Sequence, residues 1–257
     1  MRLQIKIPFV TALLLLTVPL FANTYSTTFP LTEHPISEGG KWISGGVVGW
    51  DDDVQTNGTM ASGYAPSGQM HTFSDPTAAL TGTWGPDQTV QGTVKIGTPS
   101  SSSHEIELRL RTTINSNAHT ITGYEAYCSI TTGEHYCYIA RWNGAYGSYC
   151  NIQDAGFGTP HLATGDVLKA TVTGTNPVSI TLYRQAGGTG AFTQVAHASD
   201  TGQRTGDCPG GAGGPFTSGS PGIGFWNSQD NNWNWGWSSF TASDGPLPPS
   251  GLSATAH

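Results

Sequence analysis

Between His104 and Thr112 the chain alternates without a break. Ile106, Leu108 and Leu110 hold one parity, while Glu105, Glu107, Arg109 and Arg111 hold the other. Successive side chains of a strand point to opposite faces, so this is a strand with one apolar and one charged face. Further strand-like runs are Thr89 to Ile96, Tyr124 to Ile130, His135 to Trp142, Val167 to Thr173 and Val178 to Arg184. Phe192 to Ser199, Gly222 to Trp226 and Trp235 to Ala242 complete the set. Glycine, proline and asparagine punctuate them, and no stretch keeps apolar residues at helical spacing over about three turns. Many short strands predict an all-β sandwich or barrel. The absence of an internal repeat of about 20–50 residues excludes a propeller or solenoid.

Composition agrees. Among 257 residues there are 35 glycines and 16 prolines, only 11% are charged, and the net charge is −7. With no basic stripe to meet phosphates, nucleic acid is excluded as a partner. Arg2 and Lys6 precede an apolar run from Ile7 to Phe21 and then Ala22, the pattern of a secretory signal cleaved near Ala22. That run is broken by Pro8, Thr11, Thr17 and Pro19, and a membrane span needs about 20 apolar residues, so no span is expected. The chain therefore divides into a signal peptide at 1–22, one domain at 23–244, and a tail at 245–257. The tail reads as a linker and the start of a fibronectin type III-like module, which points to other modules of a longer chain. The expected location is extracellular or at the cell surface.

Cys128, Cys137, Cys150 and Cys208 would lie in an oxidising compartment, where an even count suggests disulfides. A turn at Thr132-Gly133 sets Cys128 opposite Cys137, with Ala126 opposite Ile139. A turn at Asn143-Gly144 would instead set Cys150 opposite Cys137. The preferred pairing is Cys128–Cys137 and Cys150–Cys208.

With Ala126 and Ile139 inward, the other face of this hairpin carries Glu125, Tyr127, Tyr136, Tyr138 and Trp142. If the 104–112 strand is its neighbour, Glu105, Glu107, Arg109 and Arg111 join that face. Four charges on one strand face are costly to bury, so the face is expected to be wet. Sugar rings stack on aromatic side chains, and carboxylates or guanidinium groups bind hydroxyls or acidic sugars, so the face suits a polysaccharide or glycan. The competing reading is a set of self-satisfied ion pairs under tyrosines that only cover the sheet. Trp237 and Phe240 read as core, and Trp233 as a platform on a loop tip.

Glu38-Gly-Gly-Lys-Trp42, Gly82-Thr-Trp-Gly-Pro-Asp-Gln88, Glu105-Ile-Glu-Leu-Arg-Leu-Arg111 and Gly123-Tyr-Glu125 occur in order. Ile139-Ala-Arg-Trp-Asn-Gly144, Gly165-Asp-Val-Leu-Lys-Ala170 and Ser218-Gly-Ser-Pro-Gly-Ile-Gly-Phe225 follow. Over about residues 28–244 this series resembles the concanavalin A-like lectin/glucanase superfamily, in particular LamG-type modules of exported bacterial proteins. The resemblance implies a two-sheet antiparallel jelly-roll β-sandwich. It fixes no function, because lectins, hydrolases, lyases and adhesion modules share that fold.

The laminarinase-like motif Glu-x-Asp-x-x-Glu is not matched at Glu105-Ile-Glu107-Leu-Arg109. Arginines beside these carboxylates would lower their pKa, against the needs of a general acid. The arginine-containing and Tyr-x-Lys motifs of alginate lyases are missing, as is the Gly-x-Ser-x-Gly of a serine hydrolase. No catalytic residue is assigned. The relatives imply a structural calcium as an option, for which Asp53 of the Asp51-Asp-Asp53 turn and Asp244 are the candidates. The expected function is a non-catalytic carbohydrate-binding or adhesion module. A polysaccharide hydrolase or lyase, or a structural spacer, is the alternative.

Overall fold

The computed structural model describes residues 22–48, 53–64, 75–98, 103–154, 161–202, 213–226 and 233–245. The expected signal segment up to residue 21, Asp51, Asp52, Cys208 and the tail beyond residue 245 lie outside the described residues. Sixteen strands follow in order. They are β1 (Thr24–Thr27), β2 (Thr32–Glu33), β3 (Trp42–Ser44), β4 (Asp53–Asn57), β5 (Ala61–Tyr64) and β6 (Thr77–Leu80). Then come β7 (Gln88–Ile96), β8 (Glu105–Asn115), β9 (Thr120–Ser129), β10 (Cys137–Gly144) and β11 (Tyr149–Asn151). The last five are β12 (Val167–Thr173), β13 (Val178–Gln185), β14 (Thr193–Asp200), β15 (Ser220–Trp226) and β16 (Trp235–Ser243). Among the described residues the helical elements are short 3-10 turns at Gly45–Val48 and Ala186–Gly188. No helix there is long and apolar enough to cross a membrane.

Each of the nine expected runs is a strand, displaced at its ends by a few residues. The strands not anticipated, β1–β6 and β11, have two to five residues, too few for a period of two to show. All pairings are antiparallel and form two sheets. One has nine strands, ordered β14-β13-β12-β7-β16-β5-β4-β2 with β1 also on β16, and the other has seven, ordered β11-β10-β9-β8-β15-β6-β3. This is the expected jelly-roll sandwich.

The core lies between the sheets. Leu108, Ala126, Ile139 and Ile223 from the seven-stranded sheet join Val90, Leu168, Ile180 and Trp237 from the nine-stranded one. Trp237 and Phe240 are fully buried, as expected, each gaining about 1.5–3 kcal/mol from removal of its ring from water. A polar tie also crosses the sandwich. Arg141 on β10 reaches Asp200 on β14 at 2.8 Å, and the Tyr124 hydroxyl donates to the same carboxylate at 2.9 Å.

The hairpin register is the one that the Thr132-Gly133 turn predicts. Cys137 faces Cys128, Ile139 faces Ala126, and Cys128–Cys137 is a disulfide. The competing Asn143-Gly144 turn does not form. Strand β10 runs on to Gly144, and Cys150 stands opposite Arg141. The expected Cys150–Cys208 pair involves a residue outside the described ones.

Candidate functional site

The ladders fix which side chains share the outer face of the seven-stranded sheet. One row runs Ile43, Ala79, Gly222, Arg109, Glu125, Ala140 and Asn151 across all seven strands. The next holds Thr77, Gly224, Glu107, Tyr127 and Tyr138. Glu105 lies opposite Trp226 on one side and Ser129 on the other. Alternation therefore brings Glu105, Glu107, Arg109, Glu125, Tyr127, Tyr138 and Trp142 together, as the sequence predicts.

The expectation that this face is wet is overturned. Glu107 is 0% exposed, Arg109 1%, Glu125 5%, Tyr127 6% and Trp142 3%. The charges tolerate burial because they neutralise one another. The Arg109 guanidinium meets Asp75 at 2.5 Å, Glu125 at 2.9 Å, and Glu107. Gly224 makes room for this knot, since a Cβ there would fall 2.1 Å from Glu107 Oε2. The reading of ion pairs beneath the tyrosines thus holds for Glu107 and Arg109, although Glu107 Oε1 and Arg109 Nε are buried without a hydrogen-bond partner.

Arg111 is a second correction. The register of β8 on β9 slips between Leu110 and Thr113, and Arg111 adopts φ 48°. The bulge turns its guanidinium away from Arg109 and onto backbone carbonyls. Nε donates to Pro86 at 2.5 Å, and the terminal nitrogens donate to Phe216 at 2.7 Å and Gly174 at 2.8 Å. It is fully buried and serves as a strut.

Over the remaining face lies a cleft of about 280 Å³, lined by Asp75, Ser103, Glu105, Glu125, Tyr127, Tyr136, Trp142, Tyr149 and Trp226. Tyr136, Trp142 and Tyr149 form its aromatic walls, while Tyr138, expected at the site, lies behind Tyr136 and is not among the lining residues. Tyr136 stacks on Tyr138 at 5.2 Å between centroids and 16° between planes, and Trp142 lies 5.1 Å from Tyr149. Tyr149 is 43% exposed and presents its ring to solvent. Polar partners fix the rings: the Trp142 N–H donates to Glu125, the Tyr136 hydroxyl to Glu105, and the Tyr127 hydroxyl to Asn151. Trp233, half-buried just before β16, is not among the lining residues.

The expectation that arginines lower the neighbouring carboxylate pKa values also fails. Burial pushes Glu105 up to about 8, and Glu125 and Asp75 add to the rise against the Tyr136 hydrogen bond. Burial likewise holds Glu107 well above the carboxylate range, although Arg109 pulls the other way. Arg109 itself goes up, because three carboxylates outweigh its own burial. Tyr127 and Tyr136 are raised first by burial and so stay neutral donors. Near neutrality Glu105 therefore offers a protonated carboxyl in the cleft.

Asp75, Tyr149 and Trp226 were not assigned to the site from the sequence. Asp75 stands 34 residues from Arg109 with no spacing rule to connect them. Tyr149 joins only through the short β11, opposite Trp142. Trp226 has the outward parity of Gly224 on β15, which was a usable signal.

A calcium ion does not fit the expected aspartates. Asp53 accepts from Ser44 Oγ, and Asp244 accepts from Asn23 and the Gly85 N–H, donors that a cation would have to displace. The carboxylate trio Asp75, Glu107 and Glu125 already encloses the Arg109 guanidinium. Ser179, His197 and Asp154 form a relay on the other sheet, with contacts of 3.2 and 2.7 Å. However, Ser179 lies in a strand paired on both sides, so its backbone N–H is not poised as an oxyanion donor.

No protein-family model matches the sequence, and no curated protein matches it. Solved structures do share the fold. The chain is similar to a β-agarase A solved with oligoagarose, at 13% identity over 86% of this chain and 93% of that one, with a TM-score of 0.51. It also aligns with the carbohydrate-binding module CBM66 from Bacillus subtilis, at 12% identity over 81% and 94%, with a TM-score of 0.45. At such an identity the likeness to the β-agarase shows a shared two-sheet jelly-roll fold and nothing finer.

Proposed function

We propose that this chain is a non-catalytic carbohydrate-binding module of an exported protein, taking a polysaccharide or glycan in the cleft over β8–β11. The single observation that carries the reading is a cleft in which the exposed Tyr149 and the half-buried Tyr136 stand beside fixed polar groups. Tyr136 and Tyr149 offer faces for sugar C–H surfaces, while Glu105 and Glu125 line the same cleft as hydrogen-bonding groups. The disulfide supports export, and the ordered motifs support a LamG-type module.

Glu105, held near pKa 8, favours a second reading as a glycoside hydrolase, since it keeps the proton that a general acid needs. The partner carboxylates speak against it. Glu107 is sealed beneath Arg109, and Glu125 is held by Arg109 and the Trp142 N–H, so neither is free as nucleophile or base. Native affinity gels containing β-glucan, mannan, xylan, pectin or alginate, with pull-down on cellulose and chitin, test the first reading. At least one should retain the protein, and Tyr149→Ala should weaken that binding about tenfold at unchanged melting temperature. Retention on none overturns the proposal. Reducing-sugar release abolished by Glu105→Gln would establish the second reading instead.

A further inference from the structure

A second concavity, of about 480 Å³, lies on the same sheet face near its other edge. It is walled by Ile43, Trp84, Thr112 and Ile114, with segments 81–83 and 218–220 closing the rim. Two stretches that serve above only as fold signatures, Gly82-Thr-Trp-Gly85 and Ser218-Gly-Ser220, are its lips. Ala79 lies in one ladder row with Ala140 beside the first cleft, four strands apart or about 19 Å. One short ligand in the first cleft would not fill both.

Its chemistry is unlike that of the first cleft. None of its lining residues is ionisable; threonine and serine hydroxyls supply the polar groups. Trp84 is half-buried and donates its N–H internally to the Thr81 carbonyl at 3.1 Å, so any free surface is apolar ring. Thr112 is 3% exposed, and its Oγ1 is buried with no hydrogen-bond partner. Leaving such a hydroxyl unpaired is unfavourable, a cost that a ligand group accepting or donating there would relieve.

The Gly219 lip is braced by a residue outside the lining, Gln88. Gln88 is buried; its Oε1 accepts from the Arg111 N–H at 2.8 Å and its Nε2 donates to Gly219 at 2.7 Å and Gly85 at 3.1 Å. Gly219, at φ 129°, presses against the bulge so closely that a Cβ would lie 2.2 Å from the Arg111 carbonyl oxygen. The bulge that removes Arg111 from the first cleft thereby builds the second.

We propose that this concavity is a second ligand site, one that takes an uncharged polyhydroxylated group such as a neutral saccharide unit. The ligand would pair with Thr112 Oγ1 and lay an apolar ring face against Trp84. This proposal is independent of the first cleft.

The test is a backbone amide NMR titration of the whole chain with neutral gluco-, manno- and galacto-oligosaccharides at pH 5 and pH 9. Saturable shifts should appear at the Trp84 indole and in 81–84 and 218–220, with the same affinity at both pH values because no lining group titrates. Thr83→Glu, at an exposed rim position, should weaken these shifts at least tenfold, and Thr112→Val about fivefold. No saturable shift there with any of these sugars overturns the site, as does wild-type affinity in Thr83→Glu, whose folding does not depend on a buried group. Shifts confined to the Glu105 cleft would reject this site and leave the proposed function standing. Shifts confined to 81–84 and 218–220 would do the reverse.

Discussion

Arg109 and Arg111 sit two residues apart on one strand, both fully buried, and do opposite work. Arg109 stays on the outer face and gathers three carboxylates from three segments of chain, holding the floor of the aromatic cleft. Arg111, displaced by a bulge, donates to three backbone carbonyls, has the exposed Asp87 carboxylate at 3.5 Å, and ties the neighbouring loops together. Alternation alone makes the two residues equivalent. What separates them is one inserted residue in the ladder, which decides whether a guanidinium meets three carboxylates or chiefly backbone carbonyls, with one exposed aspartate at 3.5 Å.

The contrast breaks most visibly at Arg109. Arg109→Met leaves Asp75, Glu107 and Glu125 facing one another without a cation, and should cost about 3–5 kcal/mol in urea unfolding. Wild-type stability would mean that the trio protonates freely and the cation is dispensable. Arg111→Met strands three carbonyls and releases only the solvent-exposed Asp87, so it should cost less, about 2 kcal/mol, with glycan affinity unchanged in the folded protein.

The same frame also responds to pH. Burial raises Glu105 and Glu107 above their unfolded values, so the folded chain keeps protons that the unfolded chain releases. Stability is then full below about pH 4.5 and falls as pH rises through about 8, by at most about 1.4 kcal/mol per pH unit for Glu105 alone. Glu105→Gln should flatten that share of the slope, as read from melting temperatures between pH 5 and 9. An unchanged slope would place the titration elsewhere.

Much of this arrangement was legible in the sequence. The turn at Thr132-Gly133 set the hairpin register, and with it the Cys128–Cys137 bridge and the shared face of Glu125, Tyr127, Tyr138 and Trp142. These follow from local periodicity and turn geometry. The burial of that face did not follow, because it depends on Asp75, brought from the start of β6, and on rings from β11 and β15. The turning of Arg111 was hidden too. A bulge leaves no mark on an alternating run, and its partners Pro86, Gly174 and Phe216 are distant backbone carbonyls. The cost of burying four charges was judged correctly strand by strand, but cancellation by partners from elsewhere is a property of the assembled sheet.

The central claim is that the polar residues of this face divide into a buried frame and an exposed aromatic contact surface. Its most direct test measures Tyr149→Ala and Arg111→Met side by side, each for melting temperature and for affinity to the polysaccharide that retains the wild type. The account predicts about tenfold weaker binding with unchanged melting for Tyr149→Ala, and lowered melting with unchanged affinity for Arg111→Met. Intact binding in Tyr149→Ala together with lost binding in folded Arg111→Met would contradict it.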